Sequence, residues 1–375
     1  MMFCKKIEVS DFRNVEHAEV TFCEGVNILI GENAQGKTNL LEAIFYASVG
    51  RSFRATHTNE MIRFGAAAAD VSLDYRDAKR DQNLHIRLFR DRRRLVEKNG
   101  LKMDRMSDIV GSFRAVLFCP EHLSLIKDGP AERRNYMDVA ISRMYPMYMH
   151  SLQTYHSVLK QRNALLKQAV FDRRSFDATV ELWSERLAEE AAVIAEARLK
   201  FIRRANGYVA ACFSEMTGDR EQPTMVYDGS SGQNEEEYLD RKATKKKYME
   251  LLMASHDREI AAGATLWGIH KDDLDIRLNG KSARIYASQG QQRSLALAMK
   301  LAEGEICREE FGDDPVFLFD DVLSELDASR RDFLIRRIKD KQVILTTCES
   351  ETLFSLDDAR MIRVENGTYS EMRDR

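Results

Sequence analysis

No uninterrupted apolar stretch of this 375-residue chain is long enough to span a bilayer, which excludes a transmembrane helix. The N-terminal Met1-Met2-Phe3-Cys4-Lys5-Lys6 has no apolar h-region after it, so no secretory signal peptide is expected. The six cysteines, Cys4, Cys23, Cys119, Cys212, Cys307 and Cys348, are scattered without CxxC or Cys/His ligand spacing, which argues against structural zinc. Reduced, mostly buried thiols in a cytoplasmic protein are the simplest account. An excess of one charge is also missing. The net charge is −3, so any nucleic-acid surface must be local. Internal repeats and low-complexity tracts are absent. What remains, 44% apolar and 31% charged residues, is the balance of a globular chain with room for two or three domains.

One segment carries most of the functional information. Gly31-Glu32-Asn33-Ala34-Gln35-Gly36-Lys37-Thr38 fits the phosphate-loop pattern GxxxxGK[ST] at every fixed position. The apolar run Val26–Ile30 before it reads as a buried strand, and Asn39–Phe45 after it has helical apolar spacing. Glycines let backbone N–H groups turn toward phosphate oxygens, and a helix N-terminus adds favourable dipole charge. Lys37 can then reach the β- and γ-phosphates of ATP, and the Thr38 hydroxyl can ligate Mg²⁺.

Around this unit the pattern predicts a strand over residues 2–9, a turn at Asp11–Asn14 and a second strand over Ala18–Phe22. From about residue 68 to 118, alternating segments such as Leu84–Phe89 and the Asn99-Gly100 hairpin signal predict an inserted antiparallel sheet. Ala131 to Gly218 is almost wholly helical in pattern. There Trp183, Leu187, Ile194, Phe201 and Tyr208 keep near-heptad spacing, interrupted by Arg198. That spacing fits a helix paired along another helix, or equally a plain buried helix of a bundle. Gln222–Ser231 carries loop signals, and 235–262 returns to helix with Arg241, Lys242 and Lys245–Lys247 on a solvated face. Leu274–Leu278 alternates, and Ser288–Arg293 opens a long helix. Val316–Phe319, Val343–Thr347 and Met361–Val364 are short apolar strands, the last closing the chain. Apolar strands alternating with helices imply a largely parallel core sheet.

Asp320 ends one such strand, where a carboxylate can hold Mg²⁺ beside Thr38, and Asp321 follows, placed to polarise attacking water. Two adjacent acids at the end of a buried strand are costly unless they serve a cation. Ser288-Gln289-Gly290-Gln291-Gln292-Arg293 offers a hydroxyl, a glycine and a helix N-terminus, the makings of a second phosphate site. It resembles the signature motif of ABC-type ATPases, and Ser324-Glu325-Leu326-Asp327 resembles their D-loop.

In that class the signature of one head contacts the γ-phosphate held by another, so the resemblance implies a head-to-head homodimer. A phosphate loop near the N-terminus, the other motifs near the C-terminus and helices between them is the SMC-like order. Within it the chain resembles the RecF family of bacterial recombination mediators. The likeness rests on Phe12-Arg13-Asn14, residues 31–43, Arg51–Arg54, Phe118–Glu121, Lys127–Arg134, His270–Leu274, Ser288–Arg293 and Asp320–Asp327. It implies an α/β fold: an ABC/SMC-like ATPase head with a mixed β-sheet, formed by 1–130 and 263–375, plus a mainly α-helical arm at 131–262. It also implies ATP contacts from Gly31, Glu32, Asn33, Ala34, Gln35, Gly36, Lys37, Thr38, Asn39, Arg13 and Asn14. Trans contacts would come from Ser288, Gln289, Gly290 and Gln291, with Ser324 and Asp327 in the D-loop.

Two departures stand out. The Q-loop glutamine has no clear counterpart, and Glu121 of Pro120-Glu121 sits about where it should be. The switch histidine is missing after Val343–Leu345, where Thr346-Thr347 stand. Both gaps suggest slow hydrolysis suited to a timed clamp, and the resemblance implies that this weak ATPase activity is DNA-dependent. His270 is not at the switch position and either braces a strand pair or touches ligand.

Basic residues outnumber acidic ones between Arg76 and Arg114. Arg87, Arg90, Arg92, Arg93, Arg94 and Lys102 lie on or near the predicted hairpins, as phosphate contacts or as a solvated face without a partner. The family resemblance implies binding to duplex DNA and to single-strand/double-strand junctions. It also implies assistance to RecO and RecR in loading RecA during repair and replication restart. Three rivals differ in motif order, in length or in kinetics. A transporter's nucleotide subunit would gather its motifs in one compact domain, and an SMC structural protein would need a far longer arm. A clamp that binds ATP without turnover differs only in kinetics.

Overall fold

The computed structural model describes residues 2–218, 220–348 and 359–372. From the N-terminus come β1 (Phe3–Phe12), β2 (Val15–Thr21), β3 (Val26–Ile30), α1 (Lys37–Val49), β4 (Ala68–Arg76), β5 (Asp81–Phe89), β6 (Leu95–Lys98), β7 (Leu101–Met103) and β8 (Ala115–Phe118). The helices α2 (Ser124–Lys127), α3 (Pro130–Met144), α4 (Pro146–Gln168) and α5 (Arg173–Thr217) follow. Next are β9 (Pro223–Asp228), α6 (Glu235–Leu239), α7 (Arg241–Ala254) and α8 (His256–Ala262). The chain continues through β10 (Asp273–Leu278), β11 (Lys281–Ser282), α9 (Ala283–Tyr286), α10 (Gln289–Phe311), β12 (Val316–Asp320), α11 (Ala328–Ile338), β13 (Val343–Thr347), β14 (Arg360–Glu365) and β15 (Thr368–Glu371).

The chain divides into two units. The first comprises 1–124, 211–220 and 289–375, and the second 125–210 and 221–288. The first holds two six-stranded sheets. One, in the order β15-β14-β3-β13-β12-β8, is parallel except at its β14–β15 edge. Its inner strands are apolar runs buried on both faces, as a parallel sheet covered on both sides requires. The other, in the order β2-β1-β4-β5-β6-β7, is antiparallel throughout, and its strands alternate buried and open positions. Helix α1 packs against β1 and β4 of one sheet and β8, β12 and β13 of the other, so eleven of its thirteen residues are buried.

The antiparallel sheet expected at about 68–118 is real but differs in membership. It also takes β1 and β2, while Ala115–Phe118 joins the parallel sheet because all four residues are apolar and buried. The Asn99-Gly100 turn has both residues in the left-handed region, as a tight hairpin needs.

In the second unit, α3, α4 and most of α5 are joined by the three-stranded sheet β11-β10-β9. Gln222–Ser231, expected as loop, contains β9. Pro223 is tolerated there as the first residue of an edge strand, and the buried positions alternate from it onward. Because β9 pairs with β10 over its whole length, this unit runs to Ser288 rather than ending at 262. On α5, Leu187, Ile194 and Phe201 are buried, and so is Arg198, the residue that interrupts the stripe. Its guanidinium donates to Asp138 (2.9 Å), Asp272 (3.3 Å) and the Ile269 carbonyl (2.8 Å). A buried arginine needs that many partners, since an unpaired charge there costs several kcal/mol (about 3–5). His270 is a brace in this unit: Nδ1 accepts from the Tyr155 hydroxyl at 2.6 Å and Nε2 donates to the Thr265 carbonyl at 3.1 Å.

Candidate ATPase site

The phosphate loop lies between the end of β3 and the start of α1, as its sequence context predicts. Gly31 is fixed by space: a Cβ there would lie 2.2 Å from the Val364 carbonyl oxygen of β14. Gly36 is fixed by conformation, with φ of 117°. Inside the loop the Lys37 ammonium donates to the carbonyls of Gly31 (2.5 Å) and Glu32 (2.8 Å) and lies 3.3 Å from the Cys348 sulfur. The positive charge is thus held within the arch that a phosphate chain would enter. Asn14 donates to the Ala34 carbonyl (3.2 Å) and accepts from Asn39 (2.6 Å), tying the start of the chain to the loop. Arg13 forks onto the buried Glu42 carboxylate at 2.9 and 2.6 Å and reaches the Glu60 carbonyl at 2.8 Å.

Residues 282 positions apart meet next to the loop. The Thr38 hydroxyl donates to Asp320 Oδ1 at 2.8 Å, and the Thr346 hydroxyl donates to the same oxygen at 2.8 Å. Burial raises the pKa of Asp320, and the hydroxyl hydrogen bonds oppose that rise. The backbone N–H of Asp321 donates to Thr346 Oγ1 at 2.9 Å, and Asp321 itself adopts a left-handed φ of 50°. Glu121 sits on a single 3-10 turn, exposed, and its charge adds to the raised pKa of Asp320. All these groups line one cavity of about 870 Å³, with Asn33, Gln35 and Arg54. Among the described residues no cluster of three or more His, Cys, Asp or Glu could hold a metal alone. Mg²⁺ does not need one, because it binds through one or two carboxylates plus phosphate oxygens and water. Thr38 and Asp320 fit that donor set.

Ser288, Gln289, Gly290 and Gln291 lead into the N-terminus of α10, with Ser288 and Gln289 exposed. Two arginines tie this helix to the D-loop. Arg293 donates to the Glu325 carbonyl (2.9 Å) and pairs with its carboxylate (2.8 Å). Arg330 donates to the Ser294 hydroxyl (2.6 Å) and pairs with Asp327. Asp327 also caps α11, accepting from the Arg330 N–H at 3.0 Å, and Ser324 donates to the Asp321 carbonyl at 2.7 Å.

The six basic candidates are not equivalent. Arg90 spends its guanidinium on the carbonyls of Ile62, Arg63 and Ala66 and lines the ATPase cavity. Arg94 donates to Tyr46 and the Gly50 carbonyl. Arg87 faces Asp70 at 3.6 Å, and Arg92 stacks 3.9 Å over the Phe89 ring. Arg93 and Lys102 are exposed. Sequence reasoning missed the β14–β15 hairpin as part of the site. Its Gly367 N–H donates to the Gln35 carbonyl (2.9 Å), and its Tyr369 hydroxyl donates to the Gly36 carbonyl (2.9 Å). The Asn366-Gly367 pair was the available signal. Cys348 beside Lys37 left no signal in the sequence.

A phosphate loop, a strand-end aspartate and a signature helix latched to a D-loop define an ABC-type ATPase head of the SMC-like kind. The RecF/RecN/SMC N-terminal domain model matches residues 3–370. The DNA replication and repair protein RecF of Ruminiclostridium cellulolyticum is 36% identical over 93% of this chain and 94% of its own. RecF of Bacillus pumilus is 36% identical over 98% and 99%. The solved structure of the recombination mediator protein RecF-ATPrS in the RecFOR pathway matches with a TM-score of 0.93. It is 32% identical and covers 99% of this chain and 98% of that one. An Smc head domain from Pyrococcus furiosus, 18% identical with a TM-score of 0.57, shares the fold. The chain belongs to the RecF family of DNA replication and repair proteins.

Proposed function

We propose that this protein binds ATP with Mg²⁺ in the Lys37–Asp320 cavity and uses it to form a head-to-head dimer on duplex DNA. The observation that carries the reading is the convergence of Lys37, Thr38, Asp320 and Asp321 on one cavity. The solved RecF-ATPrS structure named above supports it, as does a solved structure of RecF-ATP. Bound Mg²⁺ would neutralise phosphate charge, with Thr38 and Asp320 as its protein ligands. Lys37 holds the β- and γ-phosphates, and Asp321, with Glu121 as second candidate, accepts the proton of the attacking water.

The exposed Ser288-Gln289 start of α10 would meet the γ-phosphate of a second copy. Ile285 and Tyr286 just before it are 70% and 69% exposed, as a surface that becomes covered on dimerisation would be. Without a switch histidine, turnover is slow and times release from DNA. Arg87, Arg92, Arg93 and Lys102 are the better-placed phosphate contacts, since Arg90 and Arg94 are engaged internally. Two such surfaces joined in a dimer would hold one duplex more tightly than either alone. The further reading is cytoplasmic action near single-strand gaps and junctions, where the dimer helps RecO and RecR load RecA.

Calorimetry of Lys37→Ala tests the nucleotide site. We expect ATP binding to be lost, and wild-type affinity in the variant would overturn the assignment. A dimer that never turns over is the rival, and phosphate release by wild-type protein on duplex DNA decides against it.

A further inference from the structure

Phe64 is 99% exposed, yet it lines the same cavity as Lys37, Thr38 and Asp320. No ring or cation contact holds its side chain among the described residues. The backbone around it is nevertheless firmly tied. The Arg90 guanidinium donates to the carbonyls on both sides, Arg63 at 2.9 Å and Ala66 at 2.7 Å, and to Ile62 at 3.3 Å. The N–H of Arg63 donates to the Asp11 carbonyl at 2.8 Å, and the N–H of Ala66 closes a turn onto the Arg63 carbonyl at 3.0 Å. The N–H of Arg13 donates to the Met61 carbonyl at 2.8 Å, so this loop is fastened to the segment whose Asn14 touches the phosphate loop. An aromatic ring held out on a braced loop into a phosphate-binding cavity has an apolar face to offer and no core to join. A nucleobase is the part of a nucleotide that would cover it.

We propose that Phe64 is the base platform of this site: its ring stacks on the purine of the bound nucleotide, and Arg90 is the positioning residue that keeps it there. The inference rests on the nucleotide reading of the Lys37 cavity. Base–aromatic stacking acts on the base and not on the phosphates, so the two halves of the ligand report separately.

The test compares ADP with inorganic pyrophosphate, neither of which carries a γ-phosphate to drive dimerisation, by calorimetry on the full chain. Phe64→Ala is expected to weaken ADP by about 5- to 100-fold and leave pyrophosphate unchanged. Phe64→Trp should keep ADP affinity and show a fluorescence change on ADP addition that wild-type protein lacks. Arg90→Ala should weaken ADP while sparing pyrophosphate. Unchanged ADP affinity in Phe64→Ala, or equal loss of ADP and pyrophosphate, overturns the platform. If Lys37→Ala leaves pyrophosphate binding intact, the phosphate site itself is wrong and the proposal falls with it.

Discussion

Asp320 and Asp321 are neighbours with different surroundings. The first is buried under the hydroxyls of Thr38 and Thr346, and the second is half-buried on a left-handed backbone. Asparagine tolerates that conformation better than most residues, so Asp321→Asn changes the charge with little backbone strain. It should keep ATP affinity and lower turnover by about 10²- to 10⁴-fold, read by phosphate release. Wild-type turnover in the variant would move the proton acceptor to Glu121.

A second residue-scale prediction concerns His270, whose pKa burial pushes down to about 4. The unfolded histidine takes up its proton near pH 6.5, so between 6.5 and 4 the unfolded chain binds more protons. The stability from the neutral, doubly hydrogen-bonded ring is complete above pH 6.5 and is lost as pH falls toward 4. Its ceiling is about 3 kcal/mol. Melting midpoints of wild type and His270→Gln should therefore converge as pH drops through that window. Parallel curves would show that the ring is not what titrates. Bracing was one of two readings the sequence left open for His270, but its partner Tyr155 and the Arg198 hub were not legible, because each joins distant segments.

At the scale of elements, the phosphate loop and its flanking strand and helix were legible, because residue type, spacing and apolar runs all point the same way. The strand ending at Asp320 and the helix after Ser288 were legible for the same reason. Two edge strands were not. Strand β9 hid behind Pro223, which reads as a breaker unless the strand is known to lie at an edge. Strand β15, Thr368–Glu371, is short and polar, and only its pairing with β14 makes it a strand. Yet that hairpin supplies the wall against which Gly31 is packed. Gly31→Ala would place a methyl 2.2 Å from the Val364 carbonyl, a backbone atom that can move only with its strand. We expect a loss of about 1–3 kcal/mol in denaturant unfolding and weaker nucleotide binding. An unchanged midpoint would mean that β14 shifts freely. The two arginine latches, Arg293 on Glu325 and Arg330 on Ser294, belong to this scale too: they make the signature helix and the D-loop one mechanical piece.

For the whole molecule, the proposed dimer asks one chain to supply both halves of an ATP site, a phosphate loop and a signature helix with an exposed start. The family gives the reason to join them across two copies. A signature that worked in trans would make dimerisation depend on nucleotide, and slow turnover would then set how long the dimer lasts. Ser288→Arg is placed to separate the two functions. A bulky side chain at the start of α10 would fill the space of the opposite γ-phosphate while the phosphate loop of the same chain stays whole. Sedimentation velocity of Asp321→Asn protein with and without ATP, repeated with Ser288→Arg added, tests the account most directly. A monomer is expected without ATP, a stable dimer with ATP, and a monomer that still binds ATP in the double variant. An ATP-dependent dimer that survives Ser288→Arg, or a protein that stays monomeric with ATP bound, would contradict it.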